Sequence, residues 1–206
     1  GEFTLLEKRL ELIGFDPLRD RLFCTGDLID RGPESERAVE FLRRPWFHSV
    51  RGNHDDFLLH HTDPDVRLLW RLNGGDWWDE AGPSLREALA RAFRRLPLAI
   101  TIETPDGPVG ITHAEVPAGW PWSRFVMALE QGDPEALNAA LWGRSRWFRR
   151  DRSGVPGLVR LFCGHTVVGC ESVTLGNVTF VDTGATYFGT LTVIPIGLPP
   201  TARARR

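Results

Sequence analysis

The side chains best equipped for chemistry fall in four places. Asp27, Asp30 and Arg31 lie in Gly26-Asp27-Leu28-Ile29-Asp30-Arg31-Gly32; Arg51, Asn53 and His54 lie in Arg51-Gly52-Asn53-His54-Asp55; His113 and His165 stand much further along. Each place follows a short apolar run that reads as a strand: 22–25, 46–50, 109–112 and 159–163. Strand ends that meet on one edge of a sheet bring such distant groups together. Asp27, Asn53, His113 and His165 would form a mixed oxygen and nitrogen shell, which suits Mn, Fe or Zn better than Ca or Mg. An arginine next to a metal-binding carboxylate can hold an anionic substrate oxygen. The inventory is that of a metal site that handles phosphate.

Each residue alone has a plainer explanation. Asp is common in turns, and a lone His is more often structural than catalytic. The glycines around Asp27 shift the balance, because they let backbone approach a ligand closely. Other candidates are weaker. His60 and His61 are adjacent on a helical pattern, so their rings diverge by about 100° and read as surface residues. His48 lies inside a strand and packs. Gly74-Gly75 lacks the lysine of a nucleotide-binding loop. Trp77, Trp78, Trp120, Trp122 and Trp147 could wall a cleft, with core packing the simpler account. The arginine run from Arg144 to Arg152 could be a solvated loop or could give one phosphate contact and a basic rim.

Elements to position these groups alternate in the first half: a helix at 4–13 with Thr4 and Glu7 as a capping box, a strand at 21–25, a helix at 34–43 and a strand at 46–50. That order predicts an α/β fold with parallel pairing. A helical region spans about 55–72 and another about 84–95, then strands at 98–103 and 109–112 flank a Pro105-Asp106-Gly107-Pro108 turn. Helices follow at about 123–131 and 135–141, then a polar loop at 143–158. Strands are dense afterwards, at 159–163, 169–175, 178–182 and 190–196, which suggests a second sheet packed on the first. The tail from Leu198 reads as frayed. The 206 residues read as one domain.

A hydrophobic share of 42% is enough for a full core. The net charge of −2 gives no bias toward nucleic acid or an acidic membrane. Lys8 is the only lysine among 25 basic residues, a bias that a GC-rich genome explains as well as phosphate binding does. Three cysteines without a C-x-x-C pair read as buried free thiols. No run reaches the ~20 apolar residues of a membrane span and no signal peptide opens the chain, so the expectation is a cytoplasmic protein.

Gly26 to Gly32, Gly52-Asn53-His54-Asp55, His113-Ala114 and Gly164-His165-Thr166 resemble, in order, the motifs of the PPP-type serine/threonine phosphatases of the calcineurin-like metallophosphoesterase superfamily, of the bacteriophage lambda and bacterial kind. The likeness extends to Ile13-Gly14-Phe15-Asp16, Leu72-Asn73-Gly74-Gly75, Leu96-Pro97-Leu98 and Asp182-Thr183-Gly184-Ala185, so it covers nearly the whole chain. It implies an α/β/β/α sandwich of two mixed sheets, and two divalent metal ions, usually Mn²⁺. It implies Asp27 as the bridging carboxylate, with Asn53, His113 and His165 as further ligands. It implies His54 as general acid oriented by Asp30, and Arg31, Arg51 and Arg144 as phosphate-binding arginines. The family's opening motif is Gly-Asp-x-His-Gly; Gly1 resembles its last glycine, so the first-metal site is incomplete in this chain.

The expected activity is hydrolysis of a phosphoprotein or small phosphate ester by metal-activated hydroxide. Dinucleoside polyphosphate hydrolysis is the nearest alternative on the same fold; those relatives tend to carry a small residue where this chain has Asp30. A phosphate-binding module impaired in catalysis is the alternative from another class.

Overall fold

Two sheets place the four strand ends. The computed structural model describes residues 1–197. Leu22–Cys24 (β1) and Phe47–Ser49 (β2) pair in parallel, Leu22 opposite Phe47. The second sheet holds Ala99–Ile102 (β3), Val109–Thr112 (β4), Arg160–Cys163 (β5), Val173–Leu175 (β6) and Val178–Phe180 (β7), in the order β3-β4-β5-β7-β6. β4, β5 and β7 run parallel, and the flanking β3 and β6 antiparallel. Val50, Val109, Ile111 and Phe162 fill the space between the sheets with Phe23, Ile100, Val181, Ile194 and Ile196.

Helices cover both outer faces. On the first sheet lie Phe3–Leu12 (α1), Ala38–Leu42 (α2), Asn53–Leu59 (α3), Pro64–Leu72 (α4) and Pro83–Phe93 (α5), sharing a core of Phe3, Leu6, Leu10, Phe41, Leu58, Trp70, Leu89 and Phe93. The spacing of Phe3, Leu6 and Leu10 puts them on one face of α1. On the second sheet, Trp122–Glu130 (α6) and Pro134–Trp142 (α7) close a core of Phe125, Ala136, Ala140, Leu161, Val178 and Phe180. The result is the helix, sheet, sheet, helix layering that the motifs implied, with a wholly parallel first sheet of two strands. No helix among the described residues is long and apolar enough to cross a membrane.

Several expectations need correction. Helix 55–72 is broken after Leu59. Asp63 accepts hydrogen bonds from the Asp65 and Val66 N–H groups, and Pro64 opens α4 where no N–H is needed. Loop 143–158 contains a short helix, Ser145–Arg149 (α8). Segment 190–196 forms no ladder, and its half-buried Ile194 and Ile196 pack between the sheets. Of 169–175 only β6 pairs. Ala185–Phe188 (α9) was not expected. His61 packs its ring against Trp70 and Trp78, at 6.5 and 5.3 Å, so it is not simply a surface residue. Cys170 is exposed, unlike Cys163. The tail from Leu198 lies outside the described residues.

The Thr4–Glu7 capping box does not form either. α1 starts at Phe3, so Thr4 sits within the first turn, where its N–H has no helical partner. Its N–H and its hydroxyl both donate to the Glu34 carboxylate, each at 2.6 Å, while Glu7 pairs with Arg37 at 2.9 Å. The Thr4 hydroxyl and N–H hold the Glu34 carboxyl down at about 2, against an ordinary 4.5. A depressed folded pKa gives stability that is present above the ordinary value and lost as pH falls through about 2. Glu34→Gln should therefore lower Tm by a few degrees at pH 7 and flatten the acid limb of Tm against pH. Parallel curves for the two proteins would refute the contribution.

Candidate active site

The loop after β1 carries an unusual backbone. Asp27, Asp30 and Arg31 have φ of 56°, 75° and 60°, and His165 after β5 has 65°; among the described residues Arg150 is the only other non-glycine residue in this region of conformational space. Left-handed backbone costs non-glycine residues energy and concentrates at functional positions. Four of the five such residues are ones whose side chains suggested chemistry, which marks the site independently of residue type.

Asp55 ties this loop to the next. It is fully buried, and its carboxylate accepts the N–H groups of Asp27, Leu28 and Gly52 at 3.0, 2.9 and 2.8 Å. The last of these satisfies the N-cap N–H at the start of α3, the one half of a capping box that glycine allows. Burial, reinforced by the charge of Asp27, pushes its pKa up to about 7. The loops touch closely: a Cβ on Gly52 would lie 2.1 Å from Asp27 Oδ1, so only glycine fits there.

The expected ligands converge. One ligand atom from each of Asp27, His113 and His165 lies within 4.8 Å of the others. His113 Nδ1 donates to the Thr25 carbonyl at 2.7 Å, which fixes the tautomer and leaves Nε2 as an acceptor. That Nε2 faces Asn53 Oδ1 at 2.9 Å, His165 Nδ1 at 3.2 Å and Asp27 Oδ2 at 3.5 Å. Asn53 thus presents its oxygen to a lone pair, although its amide nitrogen would have made a hydrogen bond there. Two acceptors facing each other inside a protein suit a cation. Burial, then the neighbouring His113 and Arg144, pushes the His165 pKa down to about 3, so its ring is neutral and keeps a lone pair. The donors fit one divalent ion. Further donors for a second ion beyond Asp27 are not gathered among the described residues.

His54 lies next to this cluster. Its N–H donates to Asp27 Oδ1 at 3.0 Å, and its Nδ1 meets Asp30 Oδ2 at 2.5 Å. Burial opposes protonation of the ring, but the Asp30 hydrogen bond and the charges of Asp27 and Asp30 outweigh it, and the pKa is raised. Asp30 is itself clasped by two indoles: Trp70 Nε1 donates to Oδ2 at 2.6 Å and Trp77 Nε1 to Oδ1 at 2.7 Å.

Arg31 and Arg144 line the same cleft, a space of about 690 Å³, together with Trp142, Phe148 and Tyr187. Arg144 Nε donates to His165 Nε2 at 3.0 Å. Glu115 sets its position. The Glu115 carboxylate accepts from Ser145 N–H, Ser145 Oγ and Arg146 N–H at 3.1, 2.7 and 2.8 Å, which caps α8 directly after Arg144. Arg51 is the exception among the expected arginines: its guanidinium pairs with Asp56 at 3.2 Å and does not line the cleft. Its N–H donates to Pro97 O at 2.8 Å.

Trp70, Trp77, Asp55 and Glu115 were not singled out as functional from the sequence. For Asp55 a signal existed, an acid three residues after a helix-capping position. The indoles gave none, because aromatic spacing in a helical segment reads as core.

The family model described as "Calcineurin-like phosphoesterase" matches residues 1–169. Serine/threonine-protein phosphatase 1 of Salmonella typhimurium is 35% identical over 200 residues, covering 95% of this chain and 88% of that protein. The symmetrical bis(5'-nucleosyl)-tetraphosphatase of Methylococcus capsulatus is 36% identical over 122 residues, 58% of this chain and 41% of that protein. A solved structure described as a candidate diadenosine tetraphosphatase superposes with a TM-score of 0.57 over 88% of this chain and 78% of its own, at 20% identity, a likeness of fold alone. Matched over most of its length by the family model, and by a phosphatase along 95% of it, the chain belongs to the calcineurin-like metallophosphoesterases.

Proposed function

We propose that this metallophosphoesterase hydrolyses phosphomonoesters, with phosphoserine and phosphothreonine in proteins as its substrate class and Mn²⁺ as its preferred metal. The observation that carries the reading is the buried Asp30–His54 pair beside the Asp27, Asn53, His113, His165 cluster and two cleft arginines. Similarity to serine/threonine-protein phosphatase 1 along nearly the whole chain supports it.

Arg31 and Arg144 bind the phosphoryl oxygens and orient the phosphorus toward the acceptor cluster. Asp27, Asn53, His113 and His165 would hold the cation. When bound, a divalent cation supplies a Lewis acid for phosphoryl oxygens and lowers the pKa of a coordinated water. His54, oriented by Asp30, donates a proton to the departing serine or threonine oxygen. Trp142 and Phe148 flank the cleft mouth and give a peptide an apolar surface to rest on.

The tetraphosphatase reading stays in view because relatives of that name match part of the chain. A direct comparison separates the two. With added Mn²⁺, phosphate release from a phosphoserine peptide should exceed cleavage of diadenosine tetraphosphate by at least about tenfold in kcat/KM, a difference of ~1.4 kcal/mol in transition-state binding. The reverse order would replace the proposal with the tetraphosphatase assignment.

A further inference from the structure

We propose that Trp70 and Trp77 are positioning residues for hydrolysis, which act through Asp30 on His54; this rests on the phosphomonoesterase reading above. Asp30 is 2% exposed, and it accepts hydrogen bonds from three separate elements. Trp70 Nε1 comes from the end of α4, Trp77 Nε1 from the 3-10 turn Asp76–Asp79, and His54 Nδ1 from the first turn of α3. Trp70 and His54 share Oδ2, while Trp77 alone holds Oδ1. With both oxygens engaged, the carboxylate cannot rotate about its Cβ–Cγ bond without breaking a bond to an indole. Its direction toward His54 Nδ1 is therefore fixed from behind.

The Asp30 backbone is strained, with φ of 75°, and its carbonyl accepts the Gly32 N–H at 2.6 Å, but neither fixes the rotation of its carboxylate. A further backbone restraint is its N–H bond to Ser35 Oγ at 2.9 Å. The indoles are well placed to give the rest. Trp70 is fully buried, and the two rings meet edge to face with centroids 6.4 Å apart, so each holds the other's orientation. An indole is a donor only, so it offers nothing that could take the place of the carboxylate as the acceptor for His54. A carboxylate that drifts leaves His54 free to turn, and a general acid off its line loses much of its effect.

A control exists in the same cluster. Trp78 packs 5.5 Å from Trp70 and 5.7 Å from Trp77, is buried like Trp70 where Trp77 is half-buried, and makes no hydrogen bond to Asp30. Trp77→Phe and Trp70→Phe delete one donor each and keep an aromatic ring; Trp78→Phe removes the same atoms without touching the clasp.

The test measures kcat and KM for phenyl phosphate and p-nitrophenyl phosphate with Mn²⁺, and records the His54 Nδ1–H resonance in ¹⁵N-labelled full chain. Phenolate is the poorer leaving group and depends more on the proton. In Trp77→Phe and Trp70→Phe, kcat for phenyl phosphate should fall on the order of tenfold and that for p-nitrophenyl phosphate about twofold or less, with KM unchanged. The Nδ1–H resonance should broaden. Trp78→Phe should leave the ratio of the two kcat values and the resonance as in the wild type, even if it lowers Tm. Equal losses on both substrates, or a resonance that behaves as in Trp78→Phe, would overturn the positioning role. Wild-type protein inactive on both esters, with the resonance still responding to Trp77→Phe, would support the clasp and strike the phosphomonoesterase reading instead.

Discussion

Asp27→Asn should separate metal binding from folding. The substitution keeps shape and volume, and Asn tolerates the left-handed backbone that Asp27 adopts at φ 56°. What it removes is charge. Asn53, His113 and His165 are neutral donors, so Asp27 is the one anionic ligand in the set that converges there. A divalent cation bound by three neutral groups and an amide should lose on the order of a hundredfold or more in affinity. The fold should not suffer. The charge of Asp27 is one of the causes that raise the pKa of buried Asp55, so removing it relieves a repulsion. The lost charge also faced His113 and His54, whose attraction holds the Asp27 pKa down against burial, so Tm without metal should stay near the wild-type value. Wild-type Tm should climb by about 5 °C or more when Mn²⁺ is supplied at a hundred times its dissociation constant. The variant should gain almost nothing and should release no phosphate. A variant that retains wild-type metal content and the same thermal gain would remove Asp27 from the ligand set.

The strand ends were legible because apolar runs of four or five residues stop at a glycine or at a charged or imidazole side chain (Gly26, Arg51, His113, Gly164), and because their side-chain inventory is rare outside metal sites. The structure brings Asp27, Asn53, His113 and His165 together: within each sheet, parallel neighbours deliver their C-terminal loops to one edge, and the two sheets pack with those edges side by side. It places Arg31 and Arg144 in the cleft as well. Arg51 failed because sequence adjacency to Gly52-Asn53-His54 says nothing about where a long side chain points, and Asp56 four residues into the next helix takes it. The break between α3 and α4 was written in Asp63-Pro64, a cap followed by a residue without an N–H, but the apolar periodicity on either side masked it. Segment 190–196 has a strand's composition; composition reports what buries well, and a ladder also needs a free edge alongside. The support for the site was the least legible. Trp70 and Trp77 donate hydrogen bonds to, and Glu115 and Asp55 accept them from, groups 27 to 47 residues away, and nothing local to each residue announces such a partner.

His54→Asn should produce the largest selective loss. The backbone N–H of residue 54 survives the substitution and can still donate to Asp27 Oδ1, so the metal cluster keeps its shape. The gain in Tm on adding Mn²⁺ should accordingly match the wild type. The imidazole is what disappears, together with its bond to Asp30 and its edge contact with Phe57 at 5.7 Å. A positioned general acid contributes roughly 10²–10⁴ to a step in which the leaving oxygen needs a proton. Serine alkoxide is a very poor leaving group, so kcat on a phosphoserine peptide should fall by about that factor. p-Nitrophenolate departs without help, so its rate should fall less than about tenfold. The divergence is the diagnostic quantity. An equal fall on both substrates would mean that His54 serves the phosphoryl group or the fold; preserved Mn²⁺ stabilisation together with an unequal fall assigns it to the leaving oxygen, because no other titratable side chain in contact with Asp30 is positioned to replace it.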